Sequence, residues 1–127
     1  MQGARPRVLV VEDNYMNKVL VTEILTINGY DTIDASSGIE AIKLIVEERP
    51  DIVLMDLHLP EMDGITATRI IKADPRNSDI PVLALTASGM KGDEDDIINK
   101  GFDGYVAKPI EVKKLLKAIS EGLGQAG

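Results

Sequence analysis

The chain is predicted to be an α/β domain with a mainly parallel sheet and helices on both faces. Three observations carry this. First, residues 8–11, 52–55 and 82–85 are unbroken apolar runs without polar alternation. A short run of that kind suits a strand buried on both faces, as in a parallel sheet covered by helices. Second, strand-like and helix-like segments alternate five times, which is the rhythm of βα units. Third, each run stops at polar residues: Glu12 and Asp13, then Asp56, then Thr86. All strand ends of a parallel sheet share one edge, where open α/β sheets place their ligands and chemistry.

In order, Val8-Leu9-Val10-Val11 is the first strand and ends in Glu12 and Asp13. Asn14 is a helix cap. Met16, Val19, Leu20, Ile24 and Ile27 follow at helical spacing, and Gly29 is a C-terminal stop. Residues 31–35 form a second strand with a weaker signal. Ser37-Gly38-Ile39-Glu40 has capping-box spacing and opens a helix with Ile42, Ile45 and Val46 inward. Ile52-Val53-Leu54-Met55 is the central strand, ending at Asp56. Asp63 or Gly64 opens a third helix with Ile65, Thr68 and Ile71 inward, closed by Asp74-Pro75. Val82-Leu83-Ala84-Leu85 is the fourth strand, ending at Thr86. A small-residue loop and a short acidic helix over 93–100 follow, with Ile97 and Ile98 as its apolar anchors. Gly104-Tyr105-Val106-Ala107 is the fifth strand, ending at Lys108-Pro109. Val112, Leu115, Leu116 and Ile119 line the last helix.

The 127 residues are enough for one domain with a real core and too few for two. The expected core spans about 7–121, with flexible ends at 1–6 and 122–127. A net charge of −7 argues against direct nucleic-acid binding. Cysteine is absent, which excludes disulfides and thiolate metal sites. No apolar run reaches the roughly 18 residues of a membrane span, and no signal peptide is evident. The expectation is a cytoplasmic protein without a membrane partner.

The strand ends supply Glu12, Asp13, Asp56, Thr86 and Lys108. Three carboxylates in one cluster repel one another and raise each other's pKa. A hard divalent cation removes that penalty, and carboxylates with water suit Mg²⁺, with Mn²⁺ as the alternative. Asp56 is then kept ionised as a nucleophile. A hydroxyl from Thr86 and an ammonium from Lys108 complete a cradle for a phosphoryl group. Each residue also has a plain reading: Thr86 as a strand former, Lys108 as a surface lysine, the acid pair as a favourable charge before a helix. His58 is the only histidine, and a solvated loop residue is its simplest reading.

Val10-Val11-Glu12-Asp13-Asn14, Leu54-Met55-Asp56-Leu57-His58-Leu59-Pro60 with Met62-Asp63-Gly64, Leu85-Thr86-Ala87, and Tyr105-Val106-Ala107-Lys108-Pro109 together resemble the receiver domains of two-component response regulators. The resemblance implies a flavodoxin-like receiver fold with sheet order 2-1-3-4-5. It implies that Asp56 is the phosphoacceptor and Asp13 a direct Mg²⁺ ligand, with Glu12 helping directly or through water. The backbone carbonyl of His58 is the remaining implied protein ligand. Lys108 is implied to pair with a phosphoryl oxygen and to precede Pro109 through a cis peptide. Thr86 and Tyr105 are the implied switch pair. The loop over 86–94 is most similar to single-domain cell-division regulators and to receivers of hybrid histidine kinases. His58 and Ser88 occupy the positions that tune dephosphorylation in the family.

The expected phosphoryl donor is a phosphohistidine on a histidine kinase or a histidine phosphotransfer protein, and the output a downstream kinase or effector. Partner contact is expected from Tyr15, Met16 and Pro109, with Met16 also open to a core assignment. Such a domain phosphorylates and dephosphorylates itself but is no turnover enzyme. The alternative is a small phosphatase of the haloacid-dehalogenase type, which also uses a strand-end aspartate with threonine, lysine and Mg²⁺. It places the nucleophile on its first strand and a second acid two residues later, where this chain has His58. A flavin-binding domain on the same sheet fits poorly, since Glu12 and Asp13 repel phosphate. A receiver that no longer accepts phosphate would lack part of this residue set.

Overall fold

The computed structural model describes residues 5–87 and 97–124. Strands β1 (Arg7–Val11), β2 (Asp31–Ala35), β3 (Ile52–Asp56), β4 (Val82–Thr86) and β5 (Gly104–Ala107) alternate with helices α1 (Tyr15–Ile27), α2 (Gly38–Glu48), α3 (Gly64–Ala73) and α4 (Val112–Gly122). The strands form one parallel sheet in the order β2-β1-β3-β4-β5, as the resemblance implied. The first half of the acidic helix expected over 93–100, together with Ser88 and the loop residues up to 92, lies outside the described residues.

Local chemistry starts the helices where the sequence indicated. Asn14 caps α1 by accepting the N–H of Asn17 at 2.9 Å, and Asp63 caps α3 by accepting that of Thr66 at 2.8 Å. Ser37 accepts the N–H of Glu40, while the Glu40 carboxylate reaches back to the N–H of Ser36, one residue before the cap. Gly29, at φ +96°, follows α1 in the left-handed region that favours glycine.

Side chains alternate across the sheet and divide the core in two. Leu9, Val11, Val53, Met55, Val82 and Ala84 pack with Ala41 and Ile45 of α2 and with Ala67 and Ile71 of α3. Val8, Val10, Ile52, Leu54, Leu83, Leu85 and Val106 pack with Val21 and Leu25 of α1 and with Leu115 and Ile119 of α4. The helices on the first face contact each other extensively, whereas α1 and α4 on the second barely touch.

The inward faces of three helices differ from expectation. In α1 the buried residues are Val21, Ile24 and Leu25, while Met16, Leu20 and Ile27 are exposed. The apolar residues of α1 almost encircle it, so spacing alone does not single out a stripe. In α2, Ala41 and Ile45 are buried and Val46 faces out. In α4, Leu115 and Ile119 are buried and Val112 is exposed. Parts of the ends expected to be flexible are tied down. The Arg5 guanidinium donates to the carbonyls of Thr26 and Tyr30, Asp31 N–H donates to the carbonyl of Pro6, and Gly122 closes α4.

Candidate metal and phosphoacceptor site

Strand register assembles the site. Val11 lies opposite Met55, so β1 carries Glu12 to the level of Asp56. Asp56 lies opposite Leu85, one residue before Thr86. Thr86 lies opposite Ala107, one residue before Lys108, and Lys108 N–H donates to the Thr86 carbonyl at 2.7 Å. Alternation then sorts these groups. Glu12, Asp56 and Lys108 continue the side of Val10, Leu54 and Val106, the face covered by α1 and α4. Thr86 and Tyr105 continue the opposite side, and Tyr105 packs there with the core that contains Ile97 and Phe102.

Oxygens of Glu12, Asp13 and Asp56 lie within 4.8 Å of one another. Nζ of Lys108 is 3.0 Å from Oε1 of Glu12 and 3.2 Å from Oδ2 of Asp56. The backbone N–H of His58 donates to Oδ1 of Asp56 at 3.1 Å, and that of Asn14 to Oε2 of Glu12 at 3.1 Å. Asp13 and the His58 side chain are exposed. Asp56 is only 4% exposed. Lys108 lies against one of its oxygens and the His58 N–H against the other, so its charge is met by partners inside the site.

Burial pushes the Glu12 carboxyl up from its ordinary range, and the neighbouring Asp56 adds to this. The Asn14 N–H and Lys108 work the other way without reversing it. For Lys108, burial draws the ammonium down, but the close Glu12 carboxylate and the charge of Asp56 outweigh burial and hold it above its usual value.

The residues present fit a hard divalent cation. Three carboxylates against one ammonium leave two negative charges uncompensated. Oε1 of Glu12 is buried and meets Lys108 as an ion pair, without the geometry of a hydrogen bond. Oxygen-only donors of this kind suit Mg²⁺.

One contact was not anticipated from the sequence beyond the turn signal of Asp63-Gly64. A Cβ on Gly64 would stand 2.1 Å from the backbone oxygen of Asp56 and 3.0 Å from Cα of Leu57. The first turn of α3 is therefore seated directly on the backbone of Asp56, held by Gly64 N–H donating to the Leu57 carbonyl at 3.1 Å. Only glycine fits this approach.

The remaining expected residues are exposed. Tyr15 and Met16 are 74% and 72% exposed on the first turn of α1, so the core assignment of Met16 does not hold. Pro109 is exposed and follows Lys108 through a cis peptide. Leu20 and Val112, which the sequence had placed inward, add to the exposed apolar set.

A model of the response regulator receiver domain matches residues 8–120. The polar-differentiation response regulator DivK of Brucella anthropi is 43% identical over 119 residues, covering 94% of this chain and 97% of the relative; that of Brucella abortus shows the same identity and coverage. A candidate response regulator from Chloroflexus aurantiacus superposes with TM-score 0.91 at 29% identity, covering 96% of this chain and all of the other. The receiver domain of a sensor histidine kinase from Pseudomonas aeruginosa, solved with magnesium in its active-site cleft, superposes with TM-score 0.87 at 34% identity over 96% of this chain and all of its own. A five-stranded parallel sheet of order β2-β1-β3-β4-β5 with helices on both faces defines the flavodoxin-like class of α/β domains. Within it, this chain belongs to the receiver domains of response regulators. The haloacid-dehalogenase alternative finds no support. Among the described residues no helix is long and apolar enough to cross a membrane.

Proposed function

We propose that Asp56 accepts a phosphoryl group from the phosphohistidine of a histidine kinase or histidine phosphotransfer protein. The observation that carries this is the meeting of the Asp56 carboxylate with Glu12, Asp13 and the Lys108 ammonium at one strand edge. An oxygen of Asp56 attacks phosphorus in line, the P–N bond to the partner's imidazole breaks, and the electron pair stays on that imidazole. Lys108 takes up charge on the phosphoryl oxygens, leaving its present place against Asp56. Glu12, Asp13, Asp56 and the His58 carbonyl would hold Mg²⁺, or Mn²⁺, which when bound supplies charge stabilisation for the transferring group. Water replacing the imidazole hydrolyses the acyl phosphate and resets the domain, so the protein is a signalling switch and not a turnover enzyme.

The phosphorylated state is read through Thr86 and Tyr105. Thr86 is drawn toward the phosphoryl group, Tyr105 follows, and an effector binds the changed face. Tyr15, Met16 and Pro109, exposed beside the acid cluster, form the docking surface for the histidine-bearing partner. Residues 1–127 form a single receiver domain with its core over about 7–121, acting in the cytoplasm.

Incubation with a small phosphodonor and Mg²⁺ tests this reading. Wild-type protein takes up acid-labile phosphate and Asp56→Asn does not. Uptake by Asp56→Asn would overturn the assignment. Thr86→Ala should still take up phosphate yet lose the dependence of effector affinity on phosphorylation.

A further inference from the structure

The face that carries the ion pairs also carries an open groove along α4, lined by none of the residues of the acid cluster. A hollow of about 590 Å³ lies where the chain leaving the C-terminal end of α1 passes α4. Asn28 and Tyr30, just past the end of α1, line one side; Lys113, Leu116, Lys117 and Glu121 of α4 line the other. The positions on α4 repeat at three- and four-residue spacing, so they form one helix face. Tyr30 is 9% exposed and Leu116 is half-buried, which gives the groove an apolar floor.

Its charge is opposite to that of the whole molecule. The protein carries −7, yet Lys113 and Lys117 stand exposed one helical turn apart, with no carboxylate within ion-pair distance among the described residues. Their neighbour Lys114, by contrast, pairs with Glu111 at 3.1 Å. Two free ammoniums above an apolar floor, in a groove bounded by helices, suit one kind of occupant.

We propose that the groove between α1 and α4 binds an acidic amphipathic helix of a partner protein. Carboxylates of that helix pair with Lys113 and Lys117, and its apolar stripe lies over Tyr30 and Leu116. The contact is separate from phosphoryl transfer, because neither lysine belongs to the site of Asp56. It gives the domain a second way to hold a partner while the acid cluster is engaged.

The test uses the full chain, a labelled helical peptide of leucine and glutamate in amphipathic register, the same pattern with lysine for glutamate, and phosphatidylglycerol vesicles. The acidic peptide should bind, with amide shifts centred on Tyr30, Leu116 and Lys117. Lys113→Glu/Lys117→Glu should weaken it about tenfold or more, while phosphate uptake at Asp56 stays unchanged. Three outcomes overturn the proposal: equal binding of the two peptides, amide shifts at Tyr15 and Met16 in place of the groove, or vesicle binding that needs the same two lysines while the acidic peptide does not bind.

Discussion

The two faces of the sheet are built from similar aliphatic residues but do different work. The α2–α3 face is closed: its helices pack on each other, and Thr86 and Tyr105 lie on its side of the sheet. The α1–α4 face is open between its helices, and its strands end in the charged residues Glu12, Asp56 and Lys108. The proposed chemistry therefore sits on one side of the sheet and the proposed read-out on the other. A phosphoryl group on Asp56 would reach the far side across the sheet edge, where the Thr86 carbonyl accepts the N–H of Lys108. Single residues from the two faces should thus fail in different ways.

The broadest effect, on stability and phosphate uptake together, is expected where both faces share a backbone contact. Gly64→Ala places a methyl group against the Asp56 carbonyl, so the β3–α3 connection must shift. About 1–3 kcal/mol of stability should be lost in urea unfolding, together with most phosphate uptake at Asp56. Retained uptake would show that the seat of α3 does not position the carboxylate.

Core truncations come next in reach, because they compare the faces directly. Ile71→Ala on the α2–α3 side and Leu115→Ala on the α1–α4 side each remove a fully buried side chain and should each cost about 2–5 kcal/mol. A cost for Leu115→Ala below about 1 kcal/mol would mean that the open face relaxes into its groove, since cavity costs fall when a site collapses.

The α3 cap offers a smaller, pH-dependent effect. The N–H of Thr66 holds the Asp63 carboxyl below its ordinary range, against an opposing push from burial. A depressed carboxyl contributes stability above its unfolded pKa and loses it as pH falls through the folded one. Asp63→Ala should cost about 1 kcal/mol at neutral pH. Asp63→Ser keeps a cap and should flatten the acid limb of the urea midpoint against pH.

The smallest effect is expected at Asp74, whose carboxyl is held down to about 2 by hydrogen bonds from the side chain and backbone of Arg76. The pair is exposed, so Asp74→Asn should hardly move the midpoint at neutral pH. The wild-type advantage, fully present above the ordinary aspartate range, should fade as pH drops toward 2.

Strand positions were legible because buried parallel strands need unbroken apolar runs, and the runs 8–11, 52–55 and 82–85 have them. The helix caps Asn14, Ser37 and Asp63 were legible because capping is settled within four residues. The inward faces of α1, α2 and α4 were not. Met16, Leu20, Val46 and Val112 are as apolar as the residues that are buried, and only the packed neighbours decide which turn faces the sheet.

The sequence by itself determined the chain's elements, the polar residues at the strand ends and, through its motifs, its family, since these are local and additive signals. The tertiary structure decided that Glu12, Asp56 and Lys108 share one side of the sheet while Thr86 and Tyr105 share the other. It also decided that Gly64 rests on the Asp56 carbonyl and that α1 and α4 leave a groove. Those outcomes depend on register and helix docking, which couple residues far apart in the chain and are written in no single segment of it.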